Sequence, residues 1–372
     1  MIPDGVPPVL QPRPPAPGYL PATPGTVLWG ELPCGSDRAV AEVAGGGELV
    51  IDTVSHEGIL EDQGRDPLAY FGALGVPTDR VLTDAIAIAA RVPHDPATQG
   101  PHVVTGPVHV RGARPGDVLA ITVLDLELRC HYGLVSNRHG RGALPAELPA
   151  DGADVVSVPC RVDPDGRGSM AARADGAAGS DGAAGSDRAA GSARVRFPLR
   201  PFLGTMGVAT AGSERAHSVP PGPHGGNLDI SVLTAGSTLY LPVQVEGALA
   251  YVGDPHFAQG DGEVALTAFE APLRARLRFD VIAAQALPHP AMIWAQTPEL
   301  LVPVGLDPDL DEAMRACVRS ALALLVGRGM DTAHAYAYLS AAGDFAVSQV
   351  VDQVCGVHGK IRKADLVELT EP

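Results

Sequence analysis

Two short glycine- and proline-laced stretches, HSVPPGPHGGNLDI at 217–230 and VGDPHFAQGDGE at 252–263, hold His224, Asn227, Asp229, Asp254, His256, Gln259, Asp261 and Glu263. Such residues are costly to bury, and they need no glycine frame if they merely face water. In an extended chain, residues i and i+2 project from the same face. Asn227 and Asp229 make one such pair, Asp254 and His256 a second, and Asp261 and Glu263 a third; Asp125 and Glu127 make a fourth in another strand-like run. Side-by-side oxygen and nitrogen donors at strand ends are what a divalent cation requires. Zinc takes histidine and carboxylate and keeps a position open for water, whereas calcium takes carboxylate and amide oxygens. Gly225, Gly226, Gly253, Gly260 and Gly262 would let the backbone bend tightly around such an ion. Asp-Gly and Gly-Asn are also turn dipeptides, so each pair taken singly reads as a turn. Spacing alone leaves both a turn and a site open.

The elements that must position these residues are mostly strands. Short β-type runs alternate with turns from Thr26 to about Cys160, as in GELVIDTVS and HVVTGPVHVRGARPGDVLAITVLDLELR. Within the latter, Val118, Ala120, Thr122 and Leu124 alternate with Leu119, Ile121, Val123 and Asp125, so one face can sit on a core while the other points elsewhere. Strand patterns resume at VRFPLRPFLGTMGVAT and run through STLYLPVQVEGALAYVGD and GEVALTAFEAPLRARLRFDVI. A long helix is expected from Asp309, where Asp309, Asp311 and Glu312 favour an N-terminus. Met314, Cys317, Val318, Ala321, Leu322 and Leu325 then recur at helical spacing until Gly327 and Gly329. A second helix is expected from Asp344 through Val354. Strands first and helices last predict a β-rich α+β chain centred on a β-sandwich.

The expected organisation is a Pro-rich extended arm at 1–25, a β-rich part at 26–164, a low-complexity insert at 165–193, a β-sandwich part carrying the site at 194–305, and a helical part at 306–372. The insert repeats AAGSD and has almost nothing to bury, which predicts disorder. A formal net charge of −16 without any basic run argues against a nucleic-acid partner. No apolar run reaches the roughly 18 residues of a membrane span. Five scattered cysteines without a CxxC pair read as reduced thiols of a cytoplasmic protein.

The sequence resembles the acetamidase/formamidase family. The residues that carry the resemblance are SHEGILEDQGRDP (55–67), TGPVHVRGARPGDVL (105–119), VPPGPHGGNLDI (219–230), STLYLPV (237–243) and GDPHFAQGDGE (253–263). The C-terminal AYLSAAGDFAVSQVVDQVCGVHGKIRKADL (337–366) is also similar to the longer, formamidase-type members. The resemblance runs from about Gly30 to Leu366 apart from the insert. It implies hydrolysis of a small amide such as formamide or acetamide, on a jelly-roll-like β-sandwich with appended α+β parts, beside a divalent metal, zinc or calcium. Family habit also implies a homo-oligomer, and some relatives open lactam rings.

Carried over by position, Asn227 and Asp229 match the family's GGNLD residues, and Asp254, His256, Asp261 and Glu263 match GDPH…GDGE. Asp229 and His256 are then the first-choice metal ligands, with Asp254 next. Glu263, at the start of the apolar run VALTAF, is the expected general base and acid, since burial raises a carboxylate pKa. Asn227 would donate to the substrate carbonyl; Asp261 and His56 complete the candidate catalytic set. His56 lies in a polar stretch that reads equally as a solvated loop, while His94, His102, His109 and His358 read as structural. The chain's lysines are Lys360 and Lys363, both in the tail, which excludes a Glu–Lys–Cys amidase. A lactam hydrolase and an inactive, metal-stabilised binding protein are the alternatives.

Overall fold

The strand Val118–Leu128 shows how this chain builds its layers. In the computed structural model, which describes residues 8–173, 193–286, 289 and 291–369, both faces of its first half are buried. Leu119, Ile121 and Val123 enter the main core, whereas Val118 and Ala120 enter a second core with Ala321, Leu324 and Leu325 of the helix Leu310–Val326. The alternation read from sequence therefore marks two cores rather than a core and solvent. Asp125 and Glu127 lie on the exposed second half of the strand and join no cluster.

Among the described residues the strands form a nine-stranded sheet, an eleven-stranded sheet and a two-stranded ribbon. Within the first sheet, Leu273–Ile282 runs antiparallel to both Gly47–Asp52 and Val118–Leu128. In the second sheet, Ala250–Ala258 pairs with Phe202–Gly207, Val103–Arg111 and Phe269–Glu270. The main core draws on both sheets: Leu49, Ile51, Leu277 and Phe279 from the first, and Val108, Leu203, Val252 and Phe257 from the second. This is the β-rich, α+β architecture that the strand-type runs predict.

The helix expected near Asp309 spans Leu310–Val326, and the Asp309 side chain accepts from the Asp311 and Glu312 amides at 2.9 and 3.2 Å. The helix expected from Asp344 is not one. Residues Asp344–Gln349 form a strand against Cys355–Arg362, and the helix lies earlier, at Thr332–Ala342. Phe345 and Val347 serve an edge strand well, and the waiting partner Cys355–Arg362 overrides any helical preference. Two short helices near the N-terminus, Pro67–Ala73 and Thr83–Arg91, also went unread.

The described part of the Pro-rich arm is a strap rather than a free tail. Tyr19 and Leu20 pair in parallel with Val50 and Ile51, and the Tyr19 hydroxyl donates to Asp52 Oδ2 at 2.5 Å. Within the stretch expected to be disordered, Gly168–Ala171 is a strand between Val155–Val162 and Arg194–Phe197. Residues 174–192 of that stretch lie outside the described residues. No helix among the described residues is long and apolar enough to cross a membrane.

Candidate functional site

Six segments deliver ionisable side chains to one cluster at a cavity of about 830 Å³. His56 comes from the turn after Gly47–Asp52, and His102 from the residue before Val103–Arg111. Asp229 follows the strand Gly225–Asn227, while Asp254 and His256 sit in Ala250–Ala258 with Glu263 in the turn beyond. Glu270 ends Phe269–Glu270, and Asp352 lies in the turn after Asp344–Gln349. All eight are buried.

The backbone goes to some expense to aim them. Asp229, Asp254 and Glu263 have φ of +48°, +50° and +46°, in the left-handed region. Such conformations cost about 1–3 kcal/mol each and tend to gather at functional sites. Gly204, on the neighbouring strand Phe202–Gly207, provides the room: a Cβ there would lie 2.4 Å from Asp229 Oδ1 and 2.6 Å from Asp254 Oδ2. Its carbonyl accepts from the amides of both Leu228 and Asp229, which folds the chain around the carboxylates.

The donors converge without satisfying one another. His256 Nε2 lies 2.9 Å from Glu270 Oε1 and 3.1 Å from Asp254 Oδ2, yet it has no hydrogen-bond partner. The same holds for Asp229 Oδ1 and Oδ2, Asp254 Oδ1, Glu270 Oε2, His56 Nδ1 and Asp352 Oδ2. The other ring nitrogen of His256 is held: Nδ1 is 3.0 Å from Gln259 Oε1, while Gln259 Nε2 donates to the carbonyls of Asp229 and Ser348. Gln259 therefore accepts at Oε1, so His256 Nδ1 carries the proton and Nε2 faces the carboxylates. A fixed tautomer of this kind is the usual setting of a metal-ligating histidine.

Electrostatics tell the same story. Burial, followed by the charge of Asp254, raises the Asp229 pKa to about 7. Burial and the Asp229 charge raise both Glu263 and Asp352 well above the carboxylate range. Burial opposes charge on His56 and His256, but Glu270 outweighs it with help from Asp254, lifting His56 to about 10 and His256 well above the ordinary value. His102, by contrast, is lowered to about 4 by burial. Burial works against charge on Asp254, but His256 and His102 hold its carboxyl well below the usual range, so the raised carboxylates packed around it are short of positive charge. The residues fit a divalent cation: three triads (Asp254, His256 and Glu270; Asp229, His256 and Glu263; His56, His102 and Asp254) each place their donor atoms within 4.8 Å of one another.

Beside this cluster, Glu57 is held by Arg138 and accepts from Ser136 Oγ at 2.8 Å. Burial works against its charge, but His56 and Arg138 bring its pKa down to about 2. The stretch SHEGILEDQGRD is thus partly an inner wall, and the reading of it as a solvated loop fails for His56 and Glu57.

Of the residues singled out from sequence, His56, Asn227, Asp229, Asp254, His256 and Glu263 come together. Asp261 does not. It lies on the exposed side of the turn, 2.7 Å from Lys360 Nζ and accepting from Ser231 Oγ. The Gly262 amide, which donates to the Ser348 carbonyl, turns the chain between Asp261 and Glu263 so that the two part company. His224 is buried away from the cavity lining. Sequence reasoning passes over Glu270 and Asp352, and its reading of His102 as merely structural gives way to a place beside His56 and Asp254. Glu270 carried a usable signal, a lone acid inside the apolar run TAFEAPL; Asp352 was hidden by the misread helix.

Residues 200–357 match the sequence profile of the Acetamidase/Formamidase family. Over that stretch the chain is similar to that family. The match includes all site residues except His56 and His102. A formamidase of Methylophilus methylotrophus is 31% identical over 191 residues, which cover 44% of this chain and 47% of that protein. An acetamidase of Mycolicibacterium smegmatis is 31% identical over 198 residues, covering 44% and 49%. The chain thus spans about half the length of these family relatives. The crystal structure of an acetamidase from Bacillus halodurans superposes with a TM-score of 0.70 at 23% identity, over 95% of this chain and 100% of that one. A γ-lactamase from Delftia acidovorans gives 0.53 at 20% identity, over 94% and 91%. At these identities the likeness speaks for the family's fold.

Proposed function

We propose that this chain hydrolyses a primary amide to a carboxylate and ammonia, using a divalent cation held by Asp254, His256 and Glu270. The observation that carries the reading is His256 Nε2, which sits beside two carboxylate oxygens without hydrogen-bonding either, its tautomer set by Gln259. When bound, such an ion supplies a Lewis acid for the amide carbonyl and acidifies water.

The chain's own residues do the rest. Burial and the charge of Asp229 keep Glu263 able to take up a proton, so it can act first as base and then as acid toward departing nitrogen. The Thr205 hydroxyl donates to Asn227 Oδ1 at 2.8 Å, which leaves the Asn227 NH₂ group to donate to the substrate carbonyl oxygen. Formamidase and acetamidase relatives support a linear amide as substrate.

An ammonia-release screen over formamide, acetamide and propionamide, with ring opening of a γ-lactam followed in parallel, tests this. Metal content is measured on the same sample. Ammonia from a linear amide together with about one divalent ion per chain is expected. Bound metal without turnover of any amide would make this a binding protein, and full activity in metal-free protein would overturn the ligand assignment.

A further inference from the structure

The cavity is much larger than formamide or acetamide needs. At about 830 Å³ it falls among pockets that enclose ligands of many atoms. Its inner wall is the carboxylate and histidine cluster, and Arg138, His139, Arg141, His94 and His217 line it further out, beside Glu61 and Asp62.

Most of the rim's cationic groups are matched by carboxylates. Arg138 is paired with Glu57 and with Asp62 at 3.1 Å. His139 Nε2 is 3.2 Å from Asp62, and His94 Nδ1 is 2.9 Å from Glu61. Arg141 also lines the cavity, and among the described residues its side chain has no hydrogen bond or ion pair.

The Arg141 side chain is exposed, but the backbone that carries it is pinned. Its amide donates to the Arg138 carbonyl at 3.0 Å, and the Ala143 amide donates to the Val264 carbonyl at 2.9 Å. Asn137 Nδ2 donates to the Ala265 carbonyl at 2.8 Å. Between them Gly142 leaves no room for a side chain, since a Cβ there would lie 2.6 Å from Asn137 Nδ2 and 3.0 Å from the Val264 carbonyl. The turn carrying Arg141 is therefore clamped to the two residues that follow Glu263, which fixes its place relative to the inner wall. Across the rim stands His217, whose pKa is lowered by burial and by the charge of Arg141, so it meets a ligand as a neutral ring.

We infer that Arg141 recognises an anionic end of the substrate, so that the preferred substrate is a primary amide whose acyl chain ends in a carboxylate. The inference rests on the amide-hydrolase reading. The anionic inner wall would repel such a carboxylate and the unmatched guanidinium would hold it, so only the amide end is delivered to Asn227 and Glu263. A guanidinium is suited to this because it grips a carboxylate through two parallel hydrogen bonds.

The test compares kcat/KM for succinamic acid and for butanamide, its counterpart with methyl in place of carboxylate, in the wild-type chain and in Arg141→Gln. The wild type should favour succinamic acid by at least about tenfold, and Arg141→Gln should lower that ratio by at least about tenfold, with Arg141→Lys recovering part of it. A wild type that favours butanamide, or a variant in which both substrates decline together, would overturn the inference while leaving amide hydrolysis intact. If neither amide releases ammonia, the hydrolase reading fails, and calorimetric binding of succinate against butyrate decides the anion site alone. Tighter succinate binding that disappears in Arg141→Gln upholds it; equal binding of the two acids overturns it.

Discussion

Replacing Gly204 by alanine puts one methyl group where the carboxylate cluster is tightest. The added Cβ would stand 2.4 Å from Asp229 Oδ1, 2.6 Å from Asp254 Oδ2 and 2.9 Å from His256 Cε1. Ordinary contact begins at 3.4 Å, so the two oxygens must retreat by 1.0 and 0.8 Å. A metal site tolerates only about ±0.2 Å in its ligand distances. Neither carboxylate has a way out, because both residues are buried and both stand on left-handed backbone. Gly204 itself lies outside the positive-φ region, so alanine meets no backbone penalty there. Its effect on the unfolded chain would even favour folding by about 0.4–1 kcal/mol. The methyl therefore acts on the site rather than on the strand. Affinity for zinc, measured by competition with a chelator, should fall about 10–100-fold, the range for disturbed ligand support. Circular dichroism and thermal unfolding of the same sample establish that the variant is folded. A folded Gly204→Ala protein with wild-type zinc affinity would refute the argument that Asp254 and His256 hold a cation beside this glycine.

Glu263→Gln keeps shape but removes the proposed base, so kcat on the best amide should fall at least about a hundredfold while metal content stays near wild type. Loss of metal along with activity would recast Glu263 as a ligand, and near-normal turnover would remove it from the chemistry. Asp261→Ala breaks a partly exposed pair with Lys360 and one hydrogen bond from Ser231, so urea unfolding should shift by less than about 2 kcal/mol and metal content should hold; loss of metal would return Asp261 to the site. Asp52→Asn tests a buried network away from the cavity, where Arg274 approaches Asp52 Oδ1 to 2.6 Å and Arg129 approaches Oδ2 to 3.5 Å. Arg129 keeps Asp84 at 2.7 Å, but the buried Arg274 guanidinium loses its carboxylate, which should cost about 3–5 kcal/mol in urea unfolding; a loss below about 1 kcal/mol would contradict the network's role.

Much of the fold was legible because strand and helix periods are local properties. The alternation of Val118–Leu128 and the acidic start and apolar spacing of Leu310–Val326 each reflect which side of one element must leave water. The i, i+2 pairing of Asp254 with His256 is local in the same sense, and the structure keeps both in the buried cluster, 3.1 Å apart. Asp261 and Glu263 carry the same spacing and separate, because the turn between them is tied to Ser348, a residue far along the chain. The stretch from Asp344 became a strand once Cys355–Arg362 lay beside it, and that pairing is what brings Asp352 to the cluster. Glu270, His102 and Arg138 stand alone among apolar or loop neighbours in sequence, so their chemistry arises only from what folds against them. The sequence determined which residue types were available and on which face of each element they project. Tertiary structure decided which of them share a cavity, because burial and mutual charge exist only once separate segments meet.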